Sequence, residues 1–268
     1  MIEHEANKRQ GGARNSGLDV AKGDWILYVD ADDFWRYDNV LTIFDYVIDS
    51  CNCNVVRSTS ALVSVKSYNP QTGFIGDICP SKVDGREYFK ADGFSYDVCS
   101  AVYKKEFLLK NNIRFVEGMV FEDTAWNTML MYYAGTITLI DFPFYGYYIN
   151  PNSTTRLYNN IAPFRDNARS CIEVRKVLSY FNDEAFVSKG YDRIKGTLVS
   201  LVRQSRNYPV VQTTEIMMWL RHNGLLENTS YNLSLKERCL FFSMKYFPRG
   251  LMFIVRLLML LKRRLIKA

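Results

Sequence analysis

At 268 residues and 31.2 kDa, with 48 % apolar and 23 % charged residues, the chain is too apolar for wholesale disorder and long enough to bury a core without metal or disulfide staples. Its net charge of +6 is local: Met244–Ala268 holds seven basic side chains and no acid, and the remainder carries −1, which excludes a nucleic-acid footprint over the whole domain. Six cysteines (51, 53, 79, 99, 171 and 239) form no C-x-x-C pair and two histidines stand far apart, so zinc spacing is absent, and reduced thiols in a cytoplasmic protein are expected.

Ala13–Lys22 is predicted helical, stopped by Gly23 in the position just past a helix end. Trp25–Val29 follows as a continuous apolar run of strand length, the pattern of a strand buried on both faces of a parallel sheet. It breaks off in Asp30-Ala31-Asp32-Asp33, and Leu41, Phe44, Tyr46, Val47 and Ile48 then carry a mostly helical spacing. Val55–Arg57 and Ser60–Val65 read as strands, Lys104–Asn111 and Thr124–Tyr133 as helices, and Thr136–Ile140 as a strand before the aromatic stretch Phe142–Tyr148. From Ala162 the texture turns to helix after helix: 162–181, 185–206, 210–223, 234–246 and 250–266. The expected division is an α/β part over 1–158, a helical region over 159–243 and a basic amphipathic tail over 244–268.

Two acidic clusters stand out. Three aspartates in four residues, directly after a buried strand, occupy the place where open α/β sheets bind ligands. They suit a hard divalent cation such as Mg²⁺ or Mn²⁺, which takes oxygen ligands and shares them with substrate phosphates. The alternative is a solvated turn in which Asp32 or Asp33 caps the next helix. The second cluster, Glu122-Asp123, opens a helix, where the macrodipole favours acids irrespective of any chemistry.

Gly11-Gly12-Ala13-Arg14-Asn15-Ser16-Gly17-Leu18, Ala21-Lys22-Gly23-Asp24-Trp25-Ile26 and Val29-Asp30-Ala31-Asp32-Asp33 together resemble the central signature of family-2 glycosyltransferases, inverting enzymes of the Rossmann-like A-type glycosyltransferase fold. The resemblance implies that Asp30 approaches the nucleotide of a nucleotide-diphosphate sugar, and that Arg14 lies near that site. Asp32, with Asp33, would hold a divalent cation (Mn or Mg) on the donor diphosphate. Arg114-Phe115-Val116-Glu117-Gly118 ahead of Glu122-Asp123 is similar to the family's approach to its catalytic base, which makes Asp123 the base and Glu122 the fallback. A sugar hydroxyl is a poor nucleophile at neutral pH, so a carboxylate within reach must accept its proton.

The segment Pro143–Thr155 also resembles the close of the family's catalytic domain; Tyr147 and Tyr148 are candidates for an acceptor cleft or for core, and Arg156 for a phosphate contact. Family members carry further strands ahead of the Gly11-Gly12 motif, so this sequence corresponds to a partial sheet, with a second polypeptide as one possible source of the rest. The expected function is transfer of a sugar, a UDP-sugar foremost, to a glycan or lipid-linked acceptor in surface polysaccharide or glycolipid synthesis. The other reading is a non-catalytic truncated paralogue serving as a membrane or partner-binding module.

In the tail, Gly250–Leu261 is apolar except for Arg256, and Lys262-Arg263-Arg264 follows at once. Twelve helical residues span about 18 Å, short of the roughly 30 Å hydrocarbon core. Arg249, Arg256 and Arg263, spaced by seven, mark a basic stripe, and a helix lying on the inner membrane face with that stripe outward is expected.

Overall fold

The computed structural model describes residues 2–267 apart from 61, 68, 75, 93, 150–159 and 228–230, with backbone alone for 62 and 259–267. Two compact units result, Met1–Asn152 and Ser153–Ala268. Arg156 and all of the Asn150–Thr155 part of the closing segment lie outside the described residues.

The first unit is mixed α/β. Helix α1 (Arg9–Val20) leads into the short strands β1 (Trp25–Leu27) and β2 (Phe34–Trp35) and helix α2 (Val40–Ser50). Then come β3 (Val55–Ser58), β4 (Leu62–Val65), β5 (Ser81–Asp84), α3 (Gly85–Lys90), β6 (Ala101–Lys104) and α4 (Lys105–Lys110). Helix α5 (Asp123–Tyr133) and strands β7 (Thr136–Ile140) and β8 (Tyr145–Tyr148) complete it. The larger sheet runs β1-β6-β3-β7-β5, and a smaller one runs β2-β8-β4. Val55, Val56, Tyr103 and Ile137 are sealed in the sheet, and Phe44, Trp126 and Phe142 pack against it with no exposed surface to speak of.

The expected parallel strand buried on both faces is not what forms. β1 pairs antiparallel with β6 (Ile26 opposite Tyr103) and stands at a sheet edge; only β3 and β7 are parallel in that sheet. Ile26 and Tyr28 are buried while Val29 is nearly half exposed, so the apolar run covers one face of an edge. Nor does Gly23 end α1. The helix stops at Val20, with Ala21 extended and its N–H donating to the Gly17 carbonyl. The next helix is preceded by Asn39 rather than by an aspartate of the acidic loop.

The second unit is all helical: α6 (Ala162–Leu178), α7 (Glu184–Gln204), α8 (Val210–His222), α9 (Leu235–Tyr246) and α10 (Pro248–Lys267). Local chemistry sets the ends. The Asp183 carboxylate accepts from the Phe186 N–H at the start of α7, and Ser234 with Glu237 forms a reciprocal capping box on α9. Of the basic stripe expected to face outward, Arg249 is exposed, Arg256 is partly covered, and the side chain of Arg263 lies outside the described residues. Met252 is buried, and Arg256 lies partly covered on the same side with its Nε shielded from solvent, whereas Phe253, Ile254, Leu257 and Leu258 are exposed. No helix among the described residues is long and apolar enough to cross a membrane.

Candidate active site

The site begins with the way α1 is bound to the segment before α5. Asn15 uses both ends of its amide on one residue: Nδ2 donates to the Phe115 carbonyl at 3.0 Å, and Oδ1 accepts from the Phe115 N–H at 2.9 Å. Arg114 answers with an ion pair to Asp19 at 2.6 Å, and the Gly118 N–H donates to the Lys8 carbonyl at 2.9 Å. Gly11 makes this approach possible. A Cβ there would lie 2.6 Å from the Val116 carbonyl oxygen and 3.3 Å from Glu122 Cγ. Gly11→Ala is therefore expected to cost about 1–3 kcal/mol, read as a lower midpoint in urea; an unchanged midpoint would show that α1 can shift freely.

One turn on from Gly11, Arg14 joins the two acidic clusters. Its Nη1 donates to Glu122 Oε1 at 2.5 Å and its Nη2 to Asp30 Oδ1 at 2.6 Å, while the guanidinium sits over the Phe115 ring. Burial lowers the pKa of Arg14, but Asp30 and Glu122 together outweigh it and the net shift is upward. Burial moves Glu122 the other way, raising it despite the guanidinium beside it. Phe115 stacks on Trp126 of α5 at 4.7 Å, with Tyr28 edge-on to both, so an aromatic block fixes the floor under Arg14.

The acidic loop is braced from β8. The Tyr145 hydroxyl donates to Asp33 Oδ2 at 2.8 Å and accepts from the Asp30 N–H at 3.0 Å; the Tyr148 N–H donates to Asp33 Oδ1 at 2.9 Å. Both oxygens of Asp33 are thereby engaged, and burial raises its pKa. Asp32 points the other way in character: it is exposed, with no hydrogen bond or ion pair among the described residues. Cys99 lies buried nearby, its thiol pushed up to about 12 by burial and by the negative charge of Asp30. A thiol held that high stays protonated at neutral pH.

Glu122 and Asp123 differ in the same instructive manner. Phe121 holds a left-handed backbone conformation (φ 66°), uncommon for an aromatic residue, and turns the chain so that α5 starts at once. Glu122 is almost wholly buried against Arg14. Asp123 is half-buried; its Oδ1 is shielded from solvent with no hydrogen-bond partner among the described residues, and burial, with Glu122 adjacent, lifts its pKa to about 7.

The structure thus brings Arg14, Asp30 and Glu122 into direct contact and sets Asp123 beside Glu122. Asp33 and Asp32 stand in the same loop as Asp30, one braced and one free. Sequence reading passed over Asn15, Tyr145 and Cys99. Asn15 was within reach, being part of the Gly11–Leu18 motif. Tyr145 carried no signal beyond its place in an aromatic stretch.

The family model for Glycosyl transferase family 2 matches residues 1–108, a span that holds Arg14 and the acidic loop and stops short of Glu122-Asp123. The chain is 27 % identical over 192 residues to the uncharacterized glycosyltransferase YibD of Escherichia coli (strain K12), covering 67 % of this chain and 54 % of that protein. It is 25 % identical over 163 residues to the uncharacterized glycosyltransferase EpsJ of Bacillus subtilis (strain 168), covering 58 % and 46 %. To the succinoglycan biosynthesis protein ExoO of Rhizobium meliloti (strain 1021) it is 21 % identical over 165 residues, covering 59 % and 47 %. The chain spans about half the length of the curated relatives it matches. Among solved structures, S. aureus TarS 1-349 in complex with UDP-GlcNAc shares its fold, with a TM-score of 0.55 at 14 % identity over 95 % of this chain and 73 % of that one. Residues 1–108, which hold the Gly11–Leu18 motif and the acidic loop, match the Glycosyl transferase family 2 model, and the chain has the A-type glycosyltransferase fold.

Proposed function

We propose that the protein moves a sugar from a nucleoside-diphosphate sugar to a glycan or lipid-linked acceptor, with inversion at the anomeric carbon, at the cytoplasmic face of a membrane where surface polysaccharide or glycolipid is made. The observation that carries this reading is the Arg14 bridge, which unites the two acidic clusters in one site. A UDP-sugar is the favoured donor, by the fold shared with a protein crystallised with UDP-GlcNAc.

In this reading the carboxylates have separate duties. Asp123, with its pKa near neutrality, accepts the acceptor hydroxyl's proton as that oxygen bonds to the anomeric carbon and the bond to the diphosphate oxygen breaks. Glu122 is the poorer base because its carboxylate is committed to Arg14. Asp30 and Arg14 lie toward the nucleotide.

A divalent cation fits only in company with substrate. Among the described residues no three ligating side chains converge on a metal position, and Asp33 is occupied by Tyr145 and Tyr148. Asp32 is free, and a cation of this class is often held by one or two carboxylates plus substrate phosphates. When bound there, Mn²⁺ or Mg²⁺ would offset charge on the departing nucleoside diphosphate.

Calorimetry of the full chain with UDP-sugars and Mn²⁺ tests the reading. Saturable binding is expected, weakened about tenfold or more by EDTA or by Asp32→Asn, a loss of roughly 1.4 kcal/mol. Absence of saturable binding by any UDP-sugar would overturn the donor assignment, and EDTA-insensitive binding would overturn the metal.

A further inference from the structure

We infer that the outer face of α10, with the aromatic turn before it, is a docking surface for an anionic lipid bilayer. This goes beyond the sugar-transfer reading and stands without it, since every residue involved belongs to the helical unit.

The helix packs on α8 and α9 through the side that carries Met252, which is 1 % exposed. At 100° per residue, Phe253, Ile254, Leu257 and Leu258 fall on the opposite half of the helix. Those four apolar side chains are exposed, Phe253 by 65 % and Leu258 by 60 %. The domain's own packing therefore uses the wrong side of α10 to hide its most apolar stripe. The patch also continues off the helix. Phe242, Tyr246 and Phe247 cluster in exposed ring contacts just before α10. Tyr246 and Phe247 line a groove of about 530 Å³, shared with Val211 and Met218 of α8, both more than half or about half exposed. A contiguous exposed apolar surface of this kind marks an interaction site.

Charge selects the occupant. Residues 244–268 hold seven basic side chains and no acid, among them Arg249 at the edge of the exposed stripe. An isologous contact between two copies would bring both basic sets together, and like charges oppose it. An anionic membrane offers the reverse. Apolar side chains enter the acyl boundary while arginines and lysines remain at headgroup level, where the anionic surface attracts them. Arg256 on the covered side of the helix agrees with a helix that lies in the interface and does not span.

The test is sedimentation of the full chain with vesicles of phosphatidylcholine, with and without about 30 % phosphatidylglycerol. Binding is expected to the anionic vesicles, to weaken as salt rises from about 0.1 to 0.5 M, and to fall about tenfold or more in Phe253→Glu/Leu257→Glu. Circular dichroism and analytical ultracentrifugation on the same variant establish that it is folded and report its oligomeric state. Phe253→Trp supplies a readout that does not depend on tolerance of the charges: its emission should shift to the blue on anionic vesicles. No sedimentation with those vesicles, no blue shift, equal binding to neutral vesicles, or a wild-type dimer that the double variant makes monomeric would each overturn the assignment, the last in favour of a second copy.

Discussion

Asp123→Asn is expected to lower sugar transfer by about 10²–10⁴-fold, the usual contribution of a positioned general base, in a protein that remains folded. The amide keeps the shape of the side chain and removes only its capacity to take a proton. Wild-type activity should rise with pH through about 7, as the Asp123 carboxyl ionises, and the variant should lose that limb. Stability should run the opposite way. A carboxyl whose folded pKa lies above its unfolded value binds its proton more tightly in the folded protein. Its favourable contribution is complete below the ordinary carboxylate range and is lost as pH climbs through about 7. Urea midpoints of wild type between pH 5 and 8 should therefore decline more than those of Asp123→Asn. Transfer at wild-type rate in the variant would remove Asp123 from the chemistry and leave Glu122 as the candidate.

Arg14→Met is expected to cost about 3–5 kcal/mol, the loss seen when one partner of a buried ion pair is removed, or on the order of 10 °C in Tm. The expense does not come from a strong bond. It comes from Glu122, which is 4 % exposed and would be left buried and charged with its guanidinium partner gone. The second-site change follows from that cause: Glu122→Gln in the Arg14→Met background should recover part of the stability, because a neutral amide needs no counter-charge. Thermal unfolding of the two single variants and the double variant decides it. Additive losses would show that the bridge is not the source of the cost.

The local elements were legible because their signals are local. Each of the five C-terminal helices announces itself by apolar periodicity, and Asp123–Tyr133 and Thr136–Ile140 by pattern and length. The acidic clusters were visible as composition. What periodicity could not reach is pairing. An apolar run such as Trp25–Val29 reads the same whether the strand lies inside a parallel sheet or along an antiparallel edge, and the partner, β6, is more than seventy residues away. The same holds within the site. Nothing in the spacing of Asp30, Asp32 and Asp33 says that Tyr145 and Tyr148 will occupy one aspartate and leave another free. The arginine stripe on α10 meets a related limit. Spacing by seven places residues on one face, but which face meets the protein depends on the shape of α8 and α9.

The contacts that define the site are also among the longest in the chain. Arg14 and Glu122 are 108 residues apart, Asn15 and Phe115 are 100 apart, and Tyr145 is 112 from Asp33. Closing such loops costs chain entropy before any contact is gained, and non-local pairing of this kind slows folding. The acidic loop should therefore remain unbraced while sheet and helices are already forming, and take its final arrangement only when β8 arrives. On the ribosome the order is stricter still: until Tyr148 has emerged, the nascent chain carries every carboxylate of the site and not yet the strand that sorts them into braced and free.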